Sequence, residues 1–228
     1  MFRAFLTLLL ALCFLPNAMT ARRDDRVRIE FVTTAGTFTV ALFKETPVHA
    51  ANFEKLVREG FYTDILFHRV IRNFMIQAGD PASKTATAEQ VLGEGELPYT
   101  LPLELALPYI YHYRGALAAA REPDDVNPER RSSSTQFYIV WGKTYTPQQL
   151  AGIMPRVDAA TGMEGTITPD MAPDYMHRGG TPHLDGQYTV FGEIVSGLKV
   201  IGKIQKAETD DNDRPLQDIR ILSAKVLE

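Results

Sequence analysis

A single cysteine, Cys13, is the whole thiol content of this 228-residue chain, and it lies in the first twenty residues. Those residues differ in kind from the rest. Met1-Phe2-Arg3 carries one positive charge, residues 4–15 (AFLTLLLALCFL) are unbroken apolar sequence, and Pro16 and Asn17 precede small residues around Ala18 to Ala21. A charged start, an apolar middle too short to span a bilayer and a cleavage region make a secretory signal peptide, residues 1–21. An uncleaved anchor helix is the alternative reading. Leu12 stands where lipid modification of Cys13 would want a small residue, which argues against a lipoprotein. Cleavage near Ala21 leaves no cysteine, so disulfides and a thiol nucleophile are excluded and an oxidising compartment poses no hazard. The expected location is a bacterial periplasm or, through an endoplasmic reticulum, the outside of a cell.

An excess of one charge is also missing. Lys and Arg number 24 against 28 Asp and Glu, for a net −4, and no block of five like charges occurs. A nucleic-acid surface, which needs a clustered basic face, is not expected. Arg22, Arg23, Arg26 and Arg28 are diluted by Asp24 and Asp25, so residues 22–26 read as a solvated tether. The five histidines (His49, His68, His112, His177, His183) form no HxxxH or HExxH pair, and GxSxG, Walker and GxGxxG motifs are absent. Asp124-Asp125 and Asp210-Asp211 lie in polar loops and read as solvated surface. No metal and no cofactor are expected.

With 45% hydrophobic and 23% charged residues, the chain suits one sizeable core, a single domain over 27–228. Residues 26–43 read as two alternating strands about a turn, Val27, Ile29 and Phe31 on one face and Phe38, Val40 and Leu42 on one face. A helix follows, with Thr46 as cap, Pro47 at its first position and Gly60 as stop. Val48, Ala51, Leu56 and Val57 form its expected apolar stripe. Strands are predicted near 66–70, 74–78, 115–120, 136–141, 190–195 and 218–227, a short helix over 196–203, and loop over 81–108. Within 144–182, Thr146-Pro147 and Thr168-Pro169 each resemble a helix start, which makes this a helical insertion in a mainly β protein. Many short strands and few helices favour a closed barrel or a sandwich.

Chemistry concentrates in FHRVIRNFMIQAGDP (67–81). With a period of two, Phe67 and Arg69 share a face, as do Met75 and Gln77. An Arg and a Gln beside a Phe and a Met would place fixed donors at the edge of an apolar pocket; a structural ion pair amid ordinary core is the equal alternative. The segment is similar to the signature of the cyclophilin family of peptidyl-prolyl isomerases. GALAAAR (115–121), STQFYIV (134–140) and LDGQYTVFGEIVSG (184–197) follow in order, each resembling a later cyclophilin segment.

The resemblance implies a closed eight-stranded antiparallel β-barrel capped by two helices, and isomerisation of X-Pro bonds in exported polypeptides. Carried over by position, the catalytic arginine is Arg69, with Gln77 holding it in orientation. The proline pocket falls on Phe74, Met75, Tyr138 and Leu184. Backbone and amide contacts to the peptide fall on Ala120, Arg121 and Gln136, and Tyr188 closes the far side with His183 nearby. The implied partners are proline-containing polypeptides, with no stable membrane association after signal cleavage and a monomeric chain. A binding module or chaperone that uses the same groove without turnover is the second reading.

Several positions depart from the family pattern. Arg121 stands where asparagine is usual, either favouring acidic neighbours or pointing to solvent. Tyr138 replaces a phenylalanine, so its hydroxyl needs a partner or water. Ala78 replaces a glycine. His183 stands for a tryptophan that helps the family bind cyclosporin, and Tyr188 for a histidine. Weak cyclosporin inhibition is therefore implied, and an inhibition constant in the nanomolar range would overturn it.

Overall fold

The computed structural model describes residues 25–228. The signal-peptide reading of 1–21, and tether residues 22–24, lie outside the described residues. Arg26, read as solvated tether, is instead tied down: its guanidinium bonds Glu193 at 2.8 Å and lies over the Phe43 ring.

In chain order the elements are β1 (Arg28–Thr33), β2 (Gly36–Leu42), α1 (Pro47–Arg58), β3 (Arg69–Ile71), β4 (Met75–Ala78), β5 (Thr100–Leu101), β6 (Ala116–Ala119) and β7 (Ser132–Ser133). They continue with β8 (Phe137–Val140), α2 (Pro147–Thr161), α3 (Ala172–His177), β9 (Val190–Ser196), α4 (Leu198–Ile204) and β10 (Ile221–Leu227). Eight strands form one antiparallel sheet in the order β10-β1-β2-β9-β6-β8-β4-β3, while β5 and β7 pair separately. The sheet curls, and the expected closed barrel is present only in part. Its edge strands β3 and β10 do not form a ladder with each other. Instead residues 64–67 and 219–221 exchange three backbone bonds of 2.8–2.9 Å, which stitch the seam.

Alternation builds the inner core as the sequence predicts. Ile29 and Phe31 of β1 and Phe38, Val40 and Leu42 of β2 all point inward, and Phe31 stacks on its register partner Phe38 at 5.1 Å. In β10 a bulge opposite Val32/Thr33 shifts parity, so Ile221 and Ala224 both face inward although three residues apart.

The helix α1 begins at Pro47 as expected, but its buried face is His49, Phe53, Leu56 and Val57. Val48 is 42% exposed and Ala51 is exposed, so two members of the predicted stripe face out. The i, i+3, i+4 set that brings Phe53 inward buries far more apolar surface than one built on alanine and valine. The two helices that cover the inner core are α1 and α4, whose Ile201 and Ile204 join it.

The insertion begins with a complete capping box. The Thr146 hydroxyl accepts from the Gln149 N–H, and the Gln149 side chain accepts from the Thr146 N–H. The second helix starts at Ala172, not after Thr168. A helix begun at Pro169 would meet Pro173 in its interior, where the ring clashes and no N–H is available; from Ala172, Pro173 falls in the first turn.

The insertion packs on the outer face of the sheet. Its Leu150, Val157, Ile167, Met171 and Tyr175 share a second core with Ala116, Ala118, Tyr138 and Val140. Strands β6 and β8 are consequently buried on both faces. Among the described residues, no helix is long and apolar enough to cross a membrane.

Candidate active site

Four neighbouring strands put one row of residues on the outer face: Arg69 of β3 opposes Gln77 of β4, which opposes Tyr138 of β8, which opposes Ala118 of β6. Met75 lies two residues before Gln77 on the same face, while Ile76 and Ala78 point into the inner core. Phe67, expected beside Arg69, is buried in the inner core instead. Strand β3 begins only at Arg69, so the period of two does not extend back to Phe67.

A pocket of about 140 Å³ opens on this row and is lined by every predicted site residue except Gln136 and His183. Phe74, Met75, Tyr138 and Leu184 give it apolar walls, and Arg69 and Gln77 stand at one side. His183 lies just outside, its ring stacked on Phe74 at 5.5 Å. Gln136 lines an adjoining pocket of about 250 Å³ that shares Gln77, Ala120 and Arg121 with the first. A larger groove of about 740 Å³, between residues 34–35 and 203–219, contains none of the predicted residues.

The polar groups are organised differently from the expectation. Gln77 does not hold Arg69: its amide donates to Gln136 Oε1 at 2.9 Å. Gln136 in turn donates to the carbonyls of Gly93 and Gly95 at 2.7 and 3.0 Å, so its amide brackets the 93–95 loop. The partner of Arg69 is Asp213, whose carboxylate accepts from Nε at 3.4 Å and whose carbonyl accepts the Val70 N–H at 2.8 Å. Asp213 sits at φ 61°, a left-handed turn that Asp tolerates better than most residues. The arginine and aspartate side chains are 44% and 41% exposed, so the guanidinium stands at the rim within reach of solvent.

Arg121 points inward, against one of its two readings: its side chain is only 3% exposed. The guanidinium lies 4.3 Å from the Tyr188 ring centre and donates to the carbonyls of Gln187 and Glu122. It also pairs with Asp124 at 2.6 Å. The guanidinium groups of Arg130 and Arg121 hold the Asp124 carboxyl below its usual range. Arg121 thus braces the wall formed by Tyr188.

The hydroxyl of Tyr138 finds its partner in His112, Nε2 at 3.0 Å. On the other side of that ring, Nδ1 meets Asp185 Oδ1 at 2.9 Å, and the same oxygen accepts the His112 backbone N–H at 2.9 Å. The second oxygen of Asp185 accepts from the Tyr175 hydroxyl of α3. All four side chains are buried, and burial pushes the phenols of Tyr138 and Tyr175 well above their ordinary value. Sequence reasoning missed His112, Asp185, Tyr175 and Asp213. Asp185 adjoins the recognised Leu184, but no linear spacing links 112, 138, 175 and 185. Among the described residues no cluster of three His, Cys, Asp or Glu side chains is arranged to hold a metal.

The family model for cyclophilin-type peptidyl-prolyl cis-trans isomerases and cyclophilin-like domains matches residues 27–226. A relative named peptidyl-prolyl cis-trans isomerase-like 1, from Aspergillus fumigatus, is 28% identical over 88% of this chain and 95% of its own. A Streptococcus pyogenes protein named as a bifunctional phosphatase/peptidyl-prolyl cis-trans isomerase is 33% identical over 88% of this chain, which spans 39% of that longer protein. The crystal structure of a Cryptosporidium parvum cyclophilin-type isomerase matches with a TM-score of 0.64 at 21% identity, covering 89% of this chain and 98% of that one. With a matching fold, an arginine-rimmed apolar pocket and a family model spanning nearly the whole described chain, this protein belongs to the cyclophilin-type peptidyl-prolyl cis-trans isomerase family.

Proposed function

We propose that this isomerase acts on X-Pro bonds of exported polypeptides, with Arg69 as its catalytic residue and Phe74, Met75, Tyr138 and Leu184 as the grip on the proline ring. The reading is carried by one observation: a half-exposed guanidinium, paired with Asp213, at the rim of an apolar pocket of about 140 Å³. The Cryptosporidium parvum relative has also been crystallised in the presence of the dipeptide Ala-Pro, which supports proline-containing ligands for this chain.

Rotation about X-Pro is slow because amide resonance must be broken, at a barrier of ~18–20 kcal/mol. In the twisted transition state the proline nitrogen pyramidalises and regains a lone pair. A guanidinium donates to that nitrogen more strongly than to the planar ground state, and this differential binding raises the rate. Arginine suits the task because it stays charged and presents several donors. The apolar walls hold the ring while the preceding carbonyl swings, and they shield the amide from water. Lowering the barrier by about 5–7 kcal/mol corresponds to roughly 10⁴ to 10⁵ in rate. In this scheme Asp213 orients Arg69, and Gln77 and Gln136 shape the peptide groove.

The test is a protease-coupled isomerisation assay on X-Pro tetrapeptides with mature protein and an Arg69→Ala variant. A loss of about 10²-fold or more is expected. Two folded proteins that are equally inactive would make the groove a binding surface, the second reading. We further propose a monomer in the periplasm or outside the cell, released by cleavage near Ala21. Recovery of full-length protein from the membrane fraction would favour an anchor helix instead.

A further inference from the structure

Buried polar atoms join the floor of the pocket to the insertion. Tyr138 contributes the floor, and its hydroxyl lies behind the pocket on His112 Nε2 at 3.0 Å. The hydrogen positions follow from the acceptors. One oxygen of Asp185 takes the His112 backbone N–H and faces Nδ1, and the other takes the Tyr175 hydroxyl. The carboxylate acts as acceptor throughout, so Nδ1 carries a hydrogen, and in the neutral ring Nε2 then presents its lone pair. In that form the Tyr138 hydroxyl donates to Nε2. Every group in the chain Tyr138–His112–Asp185–Tyr175 is satisfied, with no water needed between them.

This chain fixes a ring that would otherwise be held by packing alone. The His112 ring lies nearly parallel to Tyr138, 12° between planes, and Tyr188 packs edge-on against both. A phenylalanine at the floor would keep the apolar surface but leave Nε2 without a donor. Tyr175 belongs to α3, so the last member of the chain comes from the insertion.

We propose that His112 is a positioning residue for isomerisation: with Asp185 and the insertion's Tyr175 it locks Tyr138 as the pocket floor, which makes the insertion a determinant of how firmly the proline ring is held. The proposal rests on the assignment of this pocket to proline.

The experiment combines kinetics with nitrogen NMR of histidine-labelled mature protein. The NMR needs no variant: His112 is expected as the Nδ1–H tautomer, and an Nε2–H tautomer would overturn the proposal. In the isomerisation assay, His112→Leu is expected to lower kcat/KM about fivefold, the equivalent of one lost hydrogen bond of about 1 kcal/mol. His112→Gln should restore most of it, because the amide nitrogen and oxygen can take the places of Nδ1 and Nε2. Tyr175→Phe, which removes one hydroxyl remote from the pocket, should give a smaller loss in the same direction.

The deciding readout is the same pair of substitutions in the Tyr138→Phe background. If the chain acts through the hydroxyl, His112→Leu and Tyr175→Phe there cost nothing further in kcat/KM. Equal losses in both backgrounds would reduce the network to fold stability and sink the idea. Arg69→Ala separates the two layers. A loss at Arg69→Ala with no effect of the network variants keeps the enzyme and rejects the positioning role. Should the wild type itself prove inactive, the same double-variant comparison is read from the Kd of an Ala-Pro peptide.

Discussion

Asp185→Ala removes the single acceptor on which three buried donors converge, the His112 backbone N–H, His112 Nδ1–H and the Tyr175 hydroxyl. Asp185 is 0% exposed and His112 1%, so solvent does not reach the orphaned groups directly. Hydrogen bonds to a charged acceptor contribute about 1.5–3 kcal/mol each, and a buried donor left unpaired costs about 1–3 kcal/mol. Three such losses bound the effect near 9 kcal/mol. The void beside Asp185, about 10 Å³ with His112 and Tyr188 among its walls, gains room when the carboxylate is deleted and can admit a water that restores part of the loss. The expected destabilisation is therefore about 3–5 kcal/mol, roughly half of that bound. For a domain stable by about 5–15 kcal/mol, that leaves it folded but marginal. Asp185→Asn keeps a carbonyl oxygen for the two His112 donors and offers its amide to the Tyr175 oxygen, so about 1–2 kcal/mol is expected. Equilibrium urea unfolding measures both, followed by circular dichroism and by fluorescence of Trp141, which packs on Gly202 and Arg114 away from the network. An alanine variant within 1 kcal/mol of wild type would refute the reasoning. So would an asparagine variant as unstable as the alanine one, since charge rather than bond count would then decide.

His68 is 3% exposed with neither ring nitrogen bonded, and burial lowers its pKa from 6.5 to about 4. Folding therefore favours the neutral ring, its contribution is complete above pH 6.5, and about 3 kcal/mol is lost as pH falls to 4. His68→Leu should flatten the pH dependence of unfolding over that window, and an unchanged slope would contradict the assignment. Arg121→Leu removes the cation over Tyr188 and its three oxygen partners. Loosening that wall should raise KM about fivefold with kcat little changed; a fall in kcat at constant KM would instead place Arg121 in the chemistry.

Local pattern was sufficient wherever one residue type could satisfy only one environment. Alternation placed Phe31 and Phe38 inside, and Thr146 and Gln149 marked the start of α2; the gathering of Phe74, Met75, Tyr138 and Leu184 at one pocket was implied by the family resemblance rather than by local pattern. It failed where two faces were both plausible. In α1 the stripe through Val48 and Ala51 lost to the one through Phe53, and Phe67 turned inward because β3 starts two residues later. The partners of Arg69, Gln77 and Tyr138 were beyond its reach for a different reason. Asp213 lies 144 positions from Arg69, Gln136 lies 59 from Gln77, and His112 lies 26 from Tyr138 in the loop before β6. The sequence by itself determined which side chains are apolar and where α1 and α2 begin, because those depend on neighbours within a turn or a strand, while the segments that build the pocket were legible through their resemblance to a family. Only the tertiary structure decided which donor meets which acceptor. That choice depends on sheet register and on an insertion folding back over the outer face, and hydrogen bonds acting over about 3 Å leave no trace in linear spacing.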